Sequence, residues 1–209
     1  IFKINMVGII DYGAGKLGSV KAILDRMNID YLLSSDILLL EKCTHVILPG
    51  VGSFKTVSET LHKNIDVEKL VKLVKEKAFK ILGICIGMQL LAEYGEEGGG
   101  AKGLALIKGK VKSLKDVVEE NIRLPHMGWN NLNVKEDHLP TFSELNNLDF
   151  YHVHTYYFEV FNKKDVIATV DYGIEIPSFI QRDNVFGAQF HPEKSQKNGI
   201  KFLNYFLNS

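Results

Sequence analysis

Val7 to Ile10 is a short β-rich apolar run, closed by Asp11-Tyr12-Gly13-Ala14-Gly15 and followed by an amphipathic stretch from Lys16 to Met27. That order predicts strand, turn and helix. Ile29 to Leu33 and Thr44 to Leu48 predict two more strands, the second stopped by Pro49-Gly50-Val51-Gly52-Ser53. Helical spacing returns over Phe54 to Asn64 and Val67 to Lys77, before a further strand-like run from Phe79 to Ile84. Such alternation predicts a parallel sheet with helices on both faces. In that architecture functional groups gather at the carboxyl ends of the strands, the edge shared by both glycine-rich loops and by Cys85.

After about Glu93 the texture changes, with glycines at 95, 98, 99, 100 and 103 and few helical patterns. Leu104 to Val111, Ile122 to Leu124, Phe150 to Val160, Val166 to Val170, Ile176 to Gln181 and Val185 to Phe190 read as β-segments, which predicts an antiparallel addition to the sheet. Lys194 to Leu207 closes the chain as a helix, with Ile200, Leu203, Phe206 and Leu207 on one face. There is no internal repeat or clear interdomain linker.

The first candidate chemistry lies where the Phe79 to Ile84 strand meets the helix-like run Ile86 to Leu91. There Gly83-Ile84-Cys85-Ile86-Gly87 sets a thiol between two glycines. A sharp strand-to-helix turn needs small flanking residues because its backbone is strained and crowded. Such a turn puts the sulfur at a helix N-terminus, where unpaired N–H groups favour thiolate and can receive an oxyanion. The plainer reading is a small buried hydrophobe. Pro49-Gly50-Val51-Gly52 can bring backbone close to a ligand, which makes it the candidate second oxyanion donor beside the Ile86 N–H. Gln89, four residues past Cys85, falls on the same helix face, where a neutral amide can orient a polar substrate.

A cysteine nucleophile needs a base, and the chain has seven histidines. His191 ends an apolar run and precedes Pro192, which holds it extended and lets Glu193 project the same way. A carboxylate beside an imidazole fixes its tautomer and stabilises its charged form, so Cys85, His191 and Glu193 make a complete triad. A strand-end histidine with a solvated glutamate is the equal alternative on local sequence. His152 and His154 share a strand face by period two, but no third ligand with suitable spacing lies nearby, so the pair is a weak zinc proposal. His45, His62 and His138 carry no supporting pattern.

Composition narrows the setting. With 209 residues and 45% hydrophobic content the chain can bury a substantial core as one domain, with or without a sizeable insertion. Twenty-five basic residues balance 25 acidic ones, which argues against nucleic acid as a partner. Two cysteines, Cys43 and Cys85, are too few for a disulfide framework and fit a reducing, cytosolic compartment. Apolar runs fall far short of the roughly 20 residues of a membrane span, and the amino terminus lacks a signal-peptide pattern. Met6 reads as the natural start, which makes Ile1 to Asn5 a cloning remnant or an upstream extension.

Gly83-Ile84-Cys85-Ile86-Gly87-Met88-Gln89 and His191-Pro192-Glu193 resemble the two signatures of the class I glutamine amidotransferases, in the right order. Within that family the chain is similar to the glutaminase subunits of imidazole glycerol phosphate synthase. The likeness runs through Ile10 to Gly15, Leu48 to Phe54, Pro125-His126-Met127-Gly128-Trp129-Asn130 and His191 to Ser195. The fold expected is α/β: a three-layer, flavodoxin-like, mostly parallel central sheet with helices on both faces and an antiparallel β extension, as one domain over residues 6–209.

The resemblance implies that Cys85 attacks the side-chain carbonyl of glutamine, with His191 as base and then acid and Glu193 holding the imidazole. It implies oxyanion donors at the backbone of Gly52 and Ile86. Substrate contacts would come from Gly50, Gly52, Gln89, Glu97, His154, Thr155 and Tyr156. Trp129, Asn130 and Lys194 would face a (β/α)8-barrel cyclase, the partner in a heterodimer. No cofactor or metal is implied. The implied complex is a lyase of histidine biosynthesis fed with ammonia by this hydrolase, and the isolated subunit is expected to be slow. Lys16 departs from the family, which usually has Asn there. Rival readings are a cysteine hydrolase or peptidase of similar architecture, a non-catalytic binding subunit, and a paralogous glutaminase serving another synthase.

Overall fold

The computed structural model describes residues 4–15 and 17–209, so the readings placed on residues 1–3 and on Lys16 lie outside the described residues. The first half follows the alternating pattern: β1 (Ile4–Ile10), α1 (Leu17–Arg26), β2 (Tyr31–Ser34), α2 (Ile37–Leu40), β3 (Cys43–Leu48), α3 (Phe54–Asn64), α4 (Val67–Lys75) and β4 (Lys80–Ile84). β1 pairs in parallel with β2 and β3, and β3 with β4. The chain steps to one side for β2, then back across β1 to β3 and β4. Right-handed crossovers in opposite directions put α1 on one face and α2 to α4 on the other. Each longer helix buries one stripe, such as Phe54, Val57 and Leu61 of α3 or Leu70, Leu73 and Val74 of α4.

After β4 come α5 (Ile86–Gln89), β5 (Tyr94–Gly95), β6 (Ala101–Lys102), β7 (Gly109–Ser113), β8 (His126–Asn131), β9 (Asn133–Val134) and α6 (Leu139–Phe142). Then follow β10 (Asp149–His154), β11 (Tyr156–Val160), β12 (Val166–Asp171), β13 (Glu175–Arg182), β14 (Val185–Ala188) and α7 (Gln196–Asn208). Among the described residues the main sheet has eight strands in the order β2-β1-β3-β4-β14-β13-β12-β9. β14 lies parallel to β4, and β13, β12 and β9 add in antiparallel fashion. The remaining strands form two smaller sheets, β10-β8 and β11-β7-β5-β6.

Several expectations are corrected. The helix-like run from Ile86 to Leu91 is helical only to Gln89, because the carbonyls of Leu90 and Leu91 turn away to bind the backbone of Leu104, Leu106 and Ile107. That same pairing keeps Leu104 to Lys108 out of a strand, so β7 begins at Gly109. Ile122 to Leu124 is a turn; three apolar residues carry no periodicity that distinguishes strand from packed loop. Phe150 to Val160 divides at Thr155, and its halves pair with β8 and β7 in different sheets.

Candidate active site

β4 and β14 run side by side with Gly83 opposite Gly187 and Ile84 opposite Ala188. This register brings the residues after both strands together, and the Cys85 N–H donates to the Ala188 carbonyl at 2.7 Å. Cys85 is buried, with φ 54° and ψ −110°, a conformation costly for a side chain and held only by its surroundings. Its glycine neighbours are sterically required. A Cβ on Gly87 would overlap the Leu48 carbonyl oxygen, and one on Gly83 would overlap the Gly87 carbonyl. Gly50 meets the same crowding from the other side, where a Cβ would lie 2.7 Å from the Gly87 nitrogen.

His191 follows Phe190, which stacks at 4.1 Å on Phe150 and 4.9 Å from Phe202 by ring centroids. Burying such an aromatic stabilises the fold by about 2–3 kcal/mol and anchors the imidazole that follows it. His191 is extended, at φ −103° and ψ 92°, but Pro192–Lys194 is a single 3-10 turn. The turn, rather than a continued strand, brings Glu193 back so that its Oε1 lies 2.7 Å from His191 Nδ1. Ser195 fastens the turn: its hydroxyl donates to the His191 carbonyl at 2.7 Å and accepts from the Tyr151 N–H at 2.9 Å. Burial pulls the imidazole pKa down, yet Cys85 and then Glu193 push it up further, to about 9. Among the described residues Nε2 has no hydrogen-bond partner, which leaves it open.

A pocket of about 410 Å³ opens over these groups. Cys85, His191, Gly52, Ile86, Gln89, Glu97, His154, Thr155, Tyr156 and Lys194 all line it, together with Val51, Pro125 and Val153. Gly50 packs behind the elbow instead. Trp129 and Asn130 stand on β8 outside the lining; Trp129 is about half exposed and lies edge-on to Tyr151, whose ring Lys194 covers at 5.7 Å. A larger cleft of about 610 Å³ around Lys135, Tyr157 and Thr169 lies elsewhere and has no cysteine in its lining.

Three contributors escaped sequence reasoning. Tyr12 is buried and donates to the Pro49 carbonyl at 2.6 Å, pinning the Pro49 to Gly52 loop. Glu97, named only as a substrate contact, also accepts from the Phe54 N–H at 2.6 Å and so caps α3. Gln189 reaches the sulfur. Gln89 Nε2 donates to the Tyr156 carbonyl at 3.0 Å, which can only accept, so the same group donates to Gln189 Oε1 at 3.0 Å. The Gln189 amide nitrogen therefore faces Cys85 Sγ, at 3.9 Å. Its place in the apolar run two residues before His191, just past the end of β14, was the only clue. With α5 just four residues long, this amide is a side-chain donor aimed at the sulfur beside only a short run of helix N–H groups. Replacing Gln189 by Met should slow alkylation of Cys85 by iodoacetamide at neutral pH roughly tenfold. An unchanged rate in the folded variant would deny Gln189 this role.

A strained thiol elbow and a carboxylate-held histidine at the edge of a mixed sheet with a parallel half are the parts that a cysteine hydrolase and a triad amidotransferase share. The family model for glutamine amidotransferase class-I matches residues 13–208, and the chain belongs to that class. The HisH subunit of imidazole glycerol phosphate synthase from Bacillus subtilis is 40% identical over 206 residues, 96% of this chain and 95% of the relative. That from Caldanaerobacter subterraneus is 43% identical over 202 residues, 96% of this chain and 97% of the relative. Within the class, then, this is a member of the HisH family. A crystal structure of a glutamine amidotransferase shares the fold with a TM-score of 0.75 at 19% identity, covering 97% of each chain.

Proposed function

We infer that the chain is the glutaminase subunit of imidazole glycerol phosphate synthase. It hydrolyses glutamine and passes ammonia to a cyclase subunit, which forms imidazole glycerol phosphate and an aminoimidazole carboxamide ribonucleotide in histidine biosynthesis. The observation that carries this is that Cys85 and His191 line one pocket, with Glu193 bound to the imidazole from outside the lining, on a chain alike to HisH subunits over nearly its whole length.

Cys85 Sγ attacks the glutamine carboxamide carbon while His191 takes the thiol proton, and the tetrahedral oxygen is received by the N–H groups of Ile86 and Gly52. His191 then protonates departing ammonia, leaving a γ-glutamyl thioester that water cleaves with the same imidazole as base. Gln89 Oε1, buried without a partner, is the acceptor left for a substrate N–H. Glu97 and the backbone of His154, Thr155 and Tyr156 hold the amino-acid end, since both ring nitrogens of His154 are already engaged. Trp129, Asn130 and Lys194 face the partner, a (β/α)8 barrel, and one domain over residues 6–209 works with it in the cytoplasm. No helix among the described residues is long and apolar enough to cross a membrane.

Mixing the chain with a candidate cyclase should raise glutamate release, and the cyclase's nucleotide ligand should raise it further. Full glutaminase activity in isolation, with no response to either, would sink the assignment to this synthase. The pH profile gives a second check. The imidazolium that protonates ammonia is lost as pH rises through about 9, so kcat/KM falls on the alkaline side, with an apparent pKa that belongs to the Cys85–His191 pair. Glu193→Gln removes a stabiliser of the charged form, so the alkaline limb moves to lower pH; an unmoved limb contradicts the role given to Glu193.

A further inference from the structure

Beside the catalytic pocket, β8 and β10 pair with His154 opposite His126 and His152 opposite Gly128. Strand pairing supplies what spacing could not, a third imidazole for the His152 and His154 pair. All three histidines are buried, and one nitrogen from each lies within 4.8 Å of the others. We propose that His126, His152 and His154 form a binding site for a single zinc-type divalent ion, held by three imidazoles behind the inner wall of the catalytic pocket.

His152 is the strongest witness. It is fully buried, and neither Nδ1 nor Nε2 has a hydrogen-bond partner. A buried imidazole with two idle nitrogens is costly unless something else occupies them. Opposite it, a Cβ on Gly128 would meet no atom within 4 Å, which leaves free space beside the strand pair. The other two histidines form a chain whose direction is set. His154 Nδ1 donates to the Tyr156 carbonyl at 2.9 Å, so its Nε2 carries a lone pair facing His126 Nδ1 at 3.0 Å. His126 Nδ1 must then carry the proton, and its Nε2 accepts from Asn130 Nδ2 at 3.3 Å.

Ligation needs neutral rings, and burial keeps all three so by lowering their pKa values, with His126 at about 4 and His154 at about 3. The His126 and His152 rings stack at 4.6 Å with 18° between their planes, so binding requires His152, whose ring nitrogens are held by no hydrogen bond among the described residues, to turn until one of them points at the ion. The His126 proton then shifts from Nδ1 to Nε2, which gives up the Asn130 contact and leaves the net charge of the protein groups unchanged. An all-nitrogen set of three favours zinc, cobalt or copper over magnesium or calcium and leaves a fourth position for water. His154 lines the pocket, which gives the ion its way in. A bound dication would sit near His191, whose charge already lowers His152 and His154, so it should disfavour the imidazolium and slow glutamine hydrolysis.

Zinc also binds thiolate–imidazole pairs directly, so the test removes that competitor. Chelator-stripped Cys85→Ala protein is titrated with Co²⁺, followed by visible absorption, and Zn²⁺ is then added to displace it. The expected result is one Co²⁺ per chain with a four-coordinate spectrum lacking sulfur-to-metal charge transfer. Adding His152→Phe should weaken binding by at least ~100-fold. With Cys85 intact, His152→Phe should keep its metal-free glutaminase rate but lose inhibition by Zn²⁺. Should that variant fail to fold, His126→Gln in the Cys85→Ala protein replaces it, with the same loss of binding expected. Co²⁺ binding that vanishes in Cys85→Ala, or that survives loss of His152 or His126, overturns the proposal.

Discussion

Replacing Cys85 by alanine should lower glutamine hydrolysis by on the order of 10⁴-fold or more while leaving the fold and the association with a cyclase intact. The Cys85 side chain differs from alanine by one sulfur atom, and the Val153 carbonyl and Gln189 Nε2 lie at a long 4.0 Å and 3.9 Å from that sulfur. The substitution adds no backbone strain, because alanine carries the same Cβ as cysteine and tolerates φ 54° no worse. Serine is expected to be nearly as inactive, its hydroxyl lacking the acidity that lets a thiol ionise near neutral pH. Chromatography with the partner would show normal association beside lost turnover. Comparable glutamate release from Cys85→Ala would mean that another group attacks the amide.

Gly87→Ala should damage both fold and activity with a single methyl. The added carbon would overlap the Leu48 carbonyl oxygen, a backbone atom inside β3, and Pro49 lies just beyond it. Neither strand nor elbow can retreat without disturbing the β3–β4 pairing, which carries Leu48 opposite Gly83. Overpacking against backbone in this way costs about 3 kcal/mol, or roughly 6–12 °C in Tm for a chain of this size. Activity should fall with stability, because the displaced element carries both the sulfur and the Ile86 N–H. A variant with unchanged Tm and turnover would show that the elbow has room the structure denies it. Gly18, where a Cβ would meet no atom of the described residues within 4 Å, serves as the control.

The parallel half of the fold was legible because its helices bury one stripe each and its strands are continuous apolar runs, so local periodicity and tertiary role coincide. α3 ran over the expected residues, and α4 ended only two residues early. The second half was less legible, since its strands are short and pair across long separations. Phe150 to Val160 reads as one run, yet Thr155 splits it between two sheets. Nothing in its alternation marks where hydrogen-bonding partners change. Gln189 was hidden for a related reason: an amide inside an apolar strand acquires meaning only from what stands opposite.

The sequence by itself pointed to the elbow at Cys85, since glycines on both sides of a thiol at a strand-to-helix junction are a local steric requirement, but it left the pairing of Glu193 with His191 open until the 3-10 turn at Pro192–Lys194 closed it. Only the tertiary structure decided that β14 returns parallel to β4, setting Gln189 and His191 against the sulfur, and that His126 joins His152 and His154. Backbone conformation within a few residues is governed by local sterics, which the chain carries at every position. Register between strands about 100 residues apart depends on how all the intervening surfaces pack, and no local pattern encodes it.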